Sequence, residues 1–319
     1  MPMFATVEKT TLYRWAAIST TLAALLTAPL WGSEYVVLFL LLFCLYLSLA
    51  QMWNLLAGYA GLLSLGQQAF IGFSGYTVAV LIDFYGVGNW FAVLAGGLSA
   101  VLLALAMSVF IFRMRGVYFA VGTWIFAEVL RLWFSNWGYV KYASGLFVKP
   151  ARPIAMNTLF LAALGLAALT VSGVQIALKS KMGLGLMAMR DDEEVAETMG
   201  VNVFKTKLCC FLAAAFVTGL TAALIYLFQV FIQPYEAFSI DWTVKLFFIV
   251  VIGGMGTVEG PIVGALIYVS LSQWLSEYGA LSTIAAGTLA IATMLLAPQG
   301  IVGTLKKKTG WMLLSNRRT

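Results

Sequence analysis

The sequence predicts an all-α, polytopic membrane protein with about ten transmembrane helices, and three observations carry this prediction. Hydrophobic residues make up 62% of the 319 residues and charged residues only 10%, whereas soluble domains carry about 25% charged residues. The apolar residues gather into runs of about 20, the length that a helix needs to cross a bilayer. Two of the runs, at 58–76 and 253–264, are interrupted by clusters of glycine.

Ten apolar runs are candidate spans, although the third and eighth are weak and eight or nine spans remain alternatives. They lie at residues 15–31, 35–56, 62–82, 90–112, 117–134, 154–178, 206–232, 242–257, 260–276 and 280–297. The domain organisation that follows is a short N-terminus at 1–14, one transmembrane domain at 15–303, and a basic tail at 304–319.

The basic residues predict the orientation, because lysine and arginine concentrate in cytoplasmic loops. With the N-terminus inside, fourteen of the nineteen basic residues fall on one side of the membrane and three on the other. The remaining two, Arg131 and Lys245, fall within spans. We therefore expect both ends of the chain, and the polar segment 179–207, to be cytoplasmic.

The segment 179–207 is the long polar interruption between two spans. Five of the chain's thirteen acidic residues lie in it: Asp191, Asp192, Glu193, Glu194 and Glu197. The four consecutive carboxylates suit the first turn of a helix, and Gly200 suits its end. This predicts a helix of roughly ten residues with Val195, Ala196 and Met199 on one side and the acids on the other. The segment is either a solvated linker or a surface helix that docks into a partner.

The two glycine-rich segments break the pattern of plain apolar spans. The first contains Ser64, Gln67 and Gln68, and the second contains Glu259. Glycine in membrane helices permits close packing, but it also suits broken helices that are buried in protein or line a cavity. One such segment falls in each half of the chain, which is typical of a transport site between related halves.

Charged residues inside predicted spans are functional hypotheses by default. Glu128 and Arg131 are three residues apart, and Asp241 and Lys245 are four apart, both pairs at a depth in the outer half of the bilayer. Either each pair neutralises itself and locks helices together, or the charges form the polar wall of an outward-opening cavity. Glu259 lies near the cytoplasmic end, where it caps a helix or acts in gating.

Several classes of site are missing from the sequence. Histidine is absent, and Cys44, Cys209 and Cys210 form neither a disulfide framework nor a metal-binding spacing. No GxxxxGK[ST] phosphate loop occurs. We therefore expect no catalytic residues and no metal site, and we attribute the net charge of +6 to cytoplasmic loops rather than to nucleic acid binding.

Five motifs carry a resemblance to a known family. They are GLLSLGQQAFIGFSGY at 61–76, RGVYFAVGTWIFAEVLR at 115–131, AMRDDEEVAETMGVNVFKTKL at 188–208, IGGMGTVEGPIVGAL at 252–266 and APQGIVGTLKKK at 297–308. In this order they resemble the longer permease subunit of the branched-chain amino acid ABC importers. The resemblance implies a bacterial inner-membrane permease that pairs with a second homologous permease, two ATP-binding subunits and a periplasmic solute-binding protein.

The resemblance also implies roles for particular residues. The acidic helix would be the segment that couples the permease to the ATPases, through Arg190, Asp191, Asp192, Glu193, Glu194, Ala196 and Gly200. Candidates for the translocation pathway are Ser64, Gln67, Gln68, Glu128, Arg131, Asp241, Lys245 and Glu259. ATP and Mg²⁺ would be bound by the ATPase subunits, so this chain is expected to hold no cofactor.

Two departures from the family leave the solute open. Gln67 stands where family members often carry histidine, and the outer loop YVKYASGLFV at 139–148 lacks their Thr-Gly-Gly turn. The prediction is a permease for branched-chain or related small amino acids, with urea, amides or aromatic acids as alternatives. From other classes, the rivals are an ion-coupled secondary transporter or channel and a structural membrane scaffold.

Overall fold

The chain folds into a bundle of apolar helices in the computed structural model, which describes residues 23–148, 154–275, 284–285, 287–288, 291–292, 295–297 and 299–309. After a helical stretch at 23–31, the helices are α1 (Glu34–Asn54), α2 (Gln67–Asp83), α3 (Asn89–Ile111), α4 (Val117–Asn136), α5 (Met156–Lys179), α6 (Lys181–Asp191), α7 (Glu193–Thr198), α8 (Val203–Gln229), α9 (Pro234–Ala237), α10 (Asp241–Gly253), α11 (Gly260–Trp274) and α12 (Gly300–Thr309).

Five of the described helices are long and apolar enough to cross a membrane. They are α1 with its continuation to Tyr59, α3, α4, α5 and α8. The prediction of an all-helical, multi-pass membrane protein is therefore confirmed. The count of about ten spans is not, because α2, α10 and α11 have only 17, 13 and 15 residues, fewer than the usual 20. Of the predicted spans 15–31 and 280–297, the structure describes only residues 23–31 and the short pieces 284–285, 287–288, 291–292 and 295–297.

Both glycine-rich segments interrupt helices, as predicted. At the first, α1 widens into a π-helical turn, Leu55–Tyr59, and the chain is then non-helical until α2 begins at Gln67. At the second, α10 ends at Gly253 and α11 begins at Gly260. Gly61, Gly254 and Gly256 have positive φ in these breaks, a backbone conformation that glycine adopts without strain.

Glycine also brings α3 and α8 into close contact. A Cβ at Gly219 of α8 would lie 2.6 Å from the Cβ of Ala100 and 2.9 Å from the carbonyl oxygen of Gly96, both in α3. The hydroxyl of Ser74 in α2 donates to the Gly219 carbonyl at 2.7 Å. Small residues therefore let three helices meet along their backbones, which is how helices associate in a bilayer.

A pair of two-residue strands is the one element that the all-α prediction omits among the described residues. Leu146–Phe147 (β1) lies after α4 and pairs antiparallel with Phe231–Ile232 (β2), which directly follows α8. Neither stretch continues a helix, so their backbone N–H and C=O groups bond to each other instead. The pair joins the loop after α4 to the end of α8.

Gly219→Ala should destabilise the bundle, because the new methyl group would press on the backbone of α3, which cannot rotate away. Overpacking of this kind costs about 1 to 3 kcal/mol. Thermal unfolding of the detergent-purified chain should show a melting temperature several degrees below that of the wild type. The control is Gly165→Ala in α5, where no atom lies within 4 Å of a new Cβ; equal melting temperatures for the two variants would contradict this packing.

Candidate coupling segment and translocation pathway

The polar segment between α5 and α8, for which the sequence predicts a cytoplasmic position, consists of two short helices, each started by a capping side chain. Ser180 Oγ accepts from the Met182 N–H at 3.2 Å and starts α6. Asp192 Oδ1 accepts from the N–H groups of Glu194 and Val195, at 2.8 and 3.1 Å, and starts α7. These oxygens satisfy N–H groups that have no partner within the helix.

The prediction of a single acidic helix of roughly ten residues is therefore wrong. Asp192 has an extended backbone, so Asp191 ends α6 while Glu193 and Glu194 form the first turn of α7, which has only six residues. The predicted end is right: Gly200 follows α7 with φ +86°.

The predicted apolar side of the acidic helix is only partly present. Ala196 is buried, whereas Val195 and Met199 are 52% and 75% exposed. A helix of six residues buries little more than one side chain against the bundle. The surface of α7 in this chain therefore presents apolar side chains together with carboxylates.

Ion pairs fasten α7 to the rest of the protein. Glu193 Oε1 lies 2.5 Å from Lys207 Nζ, and the Lys207 side chain is only 5% exposed. Arg115, just before α4, lies 3.1 Å from Glu194 and 3.8 Å from Glu193. Arg115 and Lys207 were not among the sequence-predicted site residues, although their positive charge on the same side of the membrane is the signal for such a pairing.

Arg190 differs from the acidic residues beside it, because its side chain reaches toward the membrane bundle. Its Nη1 donates to the Gly58 carbonyl at 3.0 Å, and its Nε and Nη2 lie 3.4 Å from Asp191 Oδ1. The segment is thus held to the bundle at two places, through Arg190 and through the ion pairs of α7.

The polar residues of the first glycine-rich segment lie inside the bundle. Ser64, Gln67 and Gln68 are all at most 1% exposed. Gln68 Oε1 accepts from Thr243 Oγ1 of α10 at 2.5 Å, and Gln67 Oε1 accepts from Thr218 Oγ1 of α8 at 3.4 Å. These side chains therefore connect the start of α2 to two other helices. Gln67 Nε2 has no hydrogen-bond partner among the described residues.

The four charged residues of the predicted spans form separate contacts. Glu128 accepts two hydrogen bonds from Arg131 Nε, at 3.0 and 2.9 Å, and contacts Arg131 Nη2 as well. Arg131 also lies over the ring of Tyr235, 4.6 Å from its centroid. The first pair is therefore self-neutralising, which was one of the two alternatives.

The second pair does not form an ion pair in the described part of the chain. Asp241 Oδ2 accepts from the Ser239 hydroxyl at 2.9 Å where α10 begins, and Lys245 Nζ lies 5.1 Å from the centroid of the Trp242 ring. Glu259 is buried at the residue that precedes α11. Within the described residues, no three His, Cys, Asp or Glu side chains are grouped to hold a metal ion.

Lys207→Met should loosen α7, because Glu193 would lose its buried partner. Hydrogen exchange of the α7 amides should become several-fold faster. Arg115→Ala serves as the matched comparison and should have a smaller effect, since its side chain is 66% exposed and exposed ion pairs stabilise weakly. Unchanged exchange in Lys207→Met would show that the ion pair does not hold α7.

Comparison with known proteins identifies the family. The family described as "Branched-chain amino acid transport system / permease component" matches residues 35–298. The high-affinity branched-chain amino acid transport system permease protein LivM of Escherichia coli (strain K12) is 26% identical over 290 residues, 81% of this chain and 68% of LivM. The corresponding LivH protein of the same organism is 30% identical over 128 residues, 39% of this chain and 40% of LivH. No solved structure matches the chain. Because the family match spans most of the sequence, this chain belongs to the family of permease components of branched-chain amino acid transport systems.

Proposed function

We propose that this chain is a permease subunit of an ATP-driven importer for branched-chain or related small amino acids. The observation that carries the mechanism is the form of α6 and α7. These two helices are capped, tied to the bundle and placed between the long helices α5 and α8, while Glu194, Val195 and Met199 remain exposed. This arrangement suits a docking surface whose displacement by a bound partner would be transmitted to the long helices α5 and α8.

The assembly we propose contains a second permease, two ATP-binding subunits and a periplasmic solute-binding protein. The similarity of this chain to both LivM and LivH of one organism supports a pair of related permeases. Net basic loops support an inner-membrane protein with both ends in the cytoplasm, and about ten transmembrane helices remain our proposal for the complete chain. ATP and Mg²⁺ belong to the ATPase subunits in this scheme, and this chain holds no cofactor.

The contacts of α7 supply a route for coupling. ATP-driven closure of the ATPases would move α7, whose ion pairs lead to Lys207 at the start of α8 and to Arg115 just before α4. A rigid helix transmits a displacement of its end along its length. The exposed carboxylates and apolar side chains of α7 suit a groove on the ATPase with basic and apolar walls.

Purification in mild detergent tests the assembly. We expect mass spectrometry to find two ATP-binding subunits and a second permease with this chain. We also expect ATP-dependent uptake of leucine when that complex is placed in liposomes with its binding protein. A chain that is isolated alone and moves leucine without ATP would support the ion-coupled secondary transporter instead. Uptake of urea or an aromatic acid in place of leucine would correct the solute and leave the mechanism unchanged.

Two variants of α7 test its contact with the ATPase. Glu194→Ala removes an exposed carboxylate, and Gly200→Val places a branched side chain where φ is +86°, which costs about 1 to 2 kcal/mol. Both should release the ATPase or lower ATP-dependent uptake several-fold. Glu34→Ala is the control, because Glu34 is exposed at the start of α1, away from α7. Wild-type uptake in both α7 variants, with the ATPase bound, would refute the assignment.

A further inference from the structure

Arg190 contacts the backbone of the first glycine-rich segment, whereas Glu193 and Glu194 pair with the side chains of Lys207 and Arg115. Arg190 lies in the last turn of α6, and its Nη1 donates to the carbonyl of Gly58, 132 residues earlier in the chain, at 3.0 Å. Gly58 belongs to the π-helical turn that ends the first long span. The side chain is thus directed away from the cytoplasmic surface on which an ATPase would dock.

The Gly58 carbonyl accepts this bond because it lies where α1 ends. The last carbonyls of a helix have no intrahelical partner and carry the negative end of its dipole, which favours a cation. Two carbonyls of the same turn are taken locally: Leu55 accepts from the Ala60 N–H at 3.2 Å and Leu56 from the Leu62 N–H at 2.9 Å. Arg190 therefore completes the cap of α1 from another part of the chain.

Two glycines, Gly61 and Gly256, border the arginine side chain, and Gly58 lets its own backbone approach that of Gly256. A Cβ at Gly61, where φ is +70°, would lie 3.2 Å from the Cα and Cγ of Arg190. A Cβ at Gly256 would lie 3.6 Å from Arg190 Nη1, and one at Gly58 would lie 2.6 Å from the Gly256 nitrogen. The side chain therefore lies in a slot formed by glycines of both interrupted segments.

The last turn of α1, which leads into the first interrupted segment, is hydrogen-bonded to the second interrupted segment beside this slot. Asn54 Oδ1 accepts from the Gly256 N–H at 2.8 Å, and its Nδ2 donates to the Thr257 carbonyl at 2.8 Å. Gln51 Nε2 donates to the Val258 carbonyl at 2.6 Å. Asn54 and Gln51 are completely buried. We call these five residues, together with Gly58, the junction.

We propose that Arg190 is a positioning residue that links the coupling segment to the junction, so that movement of α6 and α7 changes the packing of both interrupted segments. The proposal rests on the proposed function, and it assigns Arg190 an intramolecular role in place of a contact with the ATPase. The link is one charged hydrogen bond on a side chain that is 43% exposed. A bond of this kind can be broken and remade during a transport cycle without unfolding the bundle.

The test compares Arg190→Ala with the wild-type complex in liposomes, with ATP and labelled leucine supplied. We expect the ATPase subunits to remain bound, while the ratio of leucine transported to ATP hydrolysed falls tenfold or more, as the loss of a charged hydrogen bond allows. Arg190→Lys should restore part of the ratio of leucine transported to ATP hydrolysed, because a lysine ammonium group can also donate a hydrogen bond to a single carbonyl. Lys205→Ala, which removes an exposed cation from the first turn of α8, should match the wild type.

Different outcomes separate this inference from the function on which it rests. Release of the ATPase by Arg190→Ala, or a wild-type ratio in that variant, would overturn the inference while leaving the importer intact. Failure of the wild-type complex to transport any solute with ATP would overturn the proposed function. Should the Arg190→Ala chain not fold, the same ratio is measured with Arg190→Gln, whose side chain keeps polar atoms but is shorter and uncharged; a wild-type ratio there would equally overturn the inference.

Discussion

The hydrogen bonds between buried side chains and interrupted backbone are the interactions on which this structure depends. A break in a membrane helix frees N–H and C=O groups that lipid cannot satisfy. Here Trp53 donates to the Ser64 carbonyl at 2.9 Å, Thr123 accepts from the Leu65 N–H at 3.0 Å, and Asn54 binds both Gly256 and Thr257. The breaks persist because these partners come from neighbouring helices, which are thereby held together.

The same constraint explains why the two glycine-rich segments meet. The second segment contains backbone groups that need partners, and the end of α1, which leads into the first segment, provides them through the side chains of Gln51 and Asn54. Glycine at 58 and 256 lets the two backbones approach without steric hindrance. Helix α6 joins this meeting point through Arg190, so the segment that we propose to couple with the ATPases and the part of the chain that departs from regular helix are in direct contact.

The charged side chains of the helices also have partners within the protein, because an unpaired charge in a bilayer is energetically costly. Glu128 and Arg131 satisfy each other on one helix, and the ring of Tyr235 covers the guanidinium. Lys245 lies over Trp242, a cation–π contact that partly replaces water. These charged side chains therefore contribute to the packing of α4, α9 and α10 in the isolated chain. Any role in transport would require these contacts to be broken or rearranged.

Composition and local pattern determined the membrane class, the breaks at the two glycine-rich segments, the polar acidic segment and its end at Gly200. Each of these follows from residues that are close in sequence, through hydropathy, glycine geometry or the helix dipole. The tertiary structure decided the rest. The extended backbone of Asp192 separates the acidic segment into two helices. Helices α10 and α11 are shorter than the predicted spans. The inward direction of Arg190 could not be read locally, because its acceptor, the Gly58 carbonyl, is a backbone atom that becomes available only where a distant helix ends beside it.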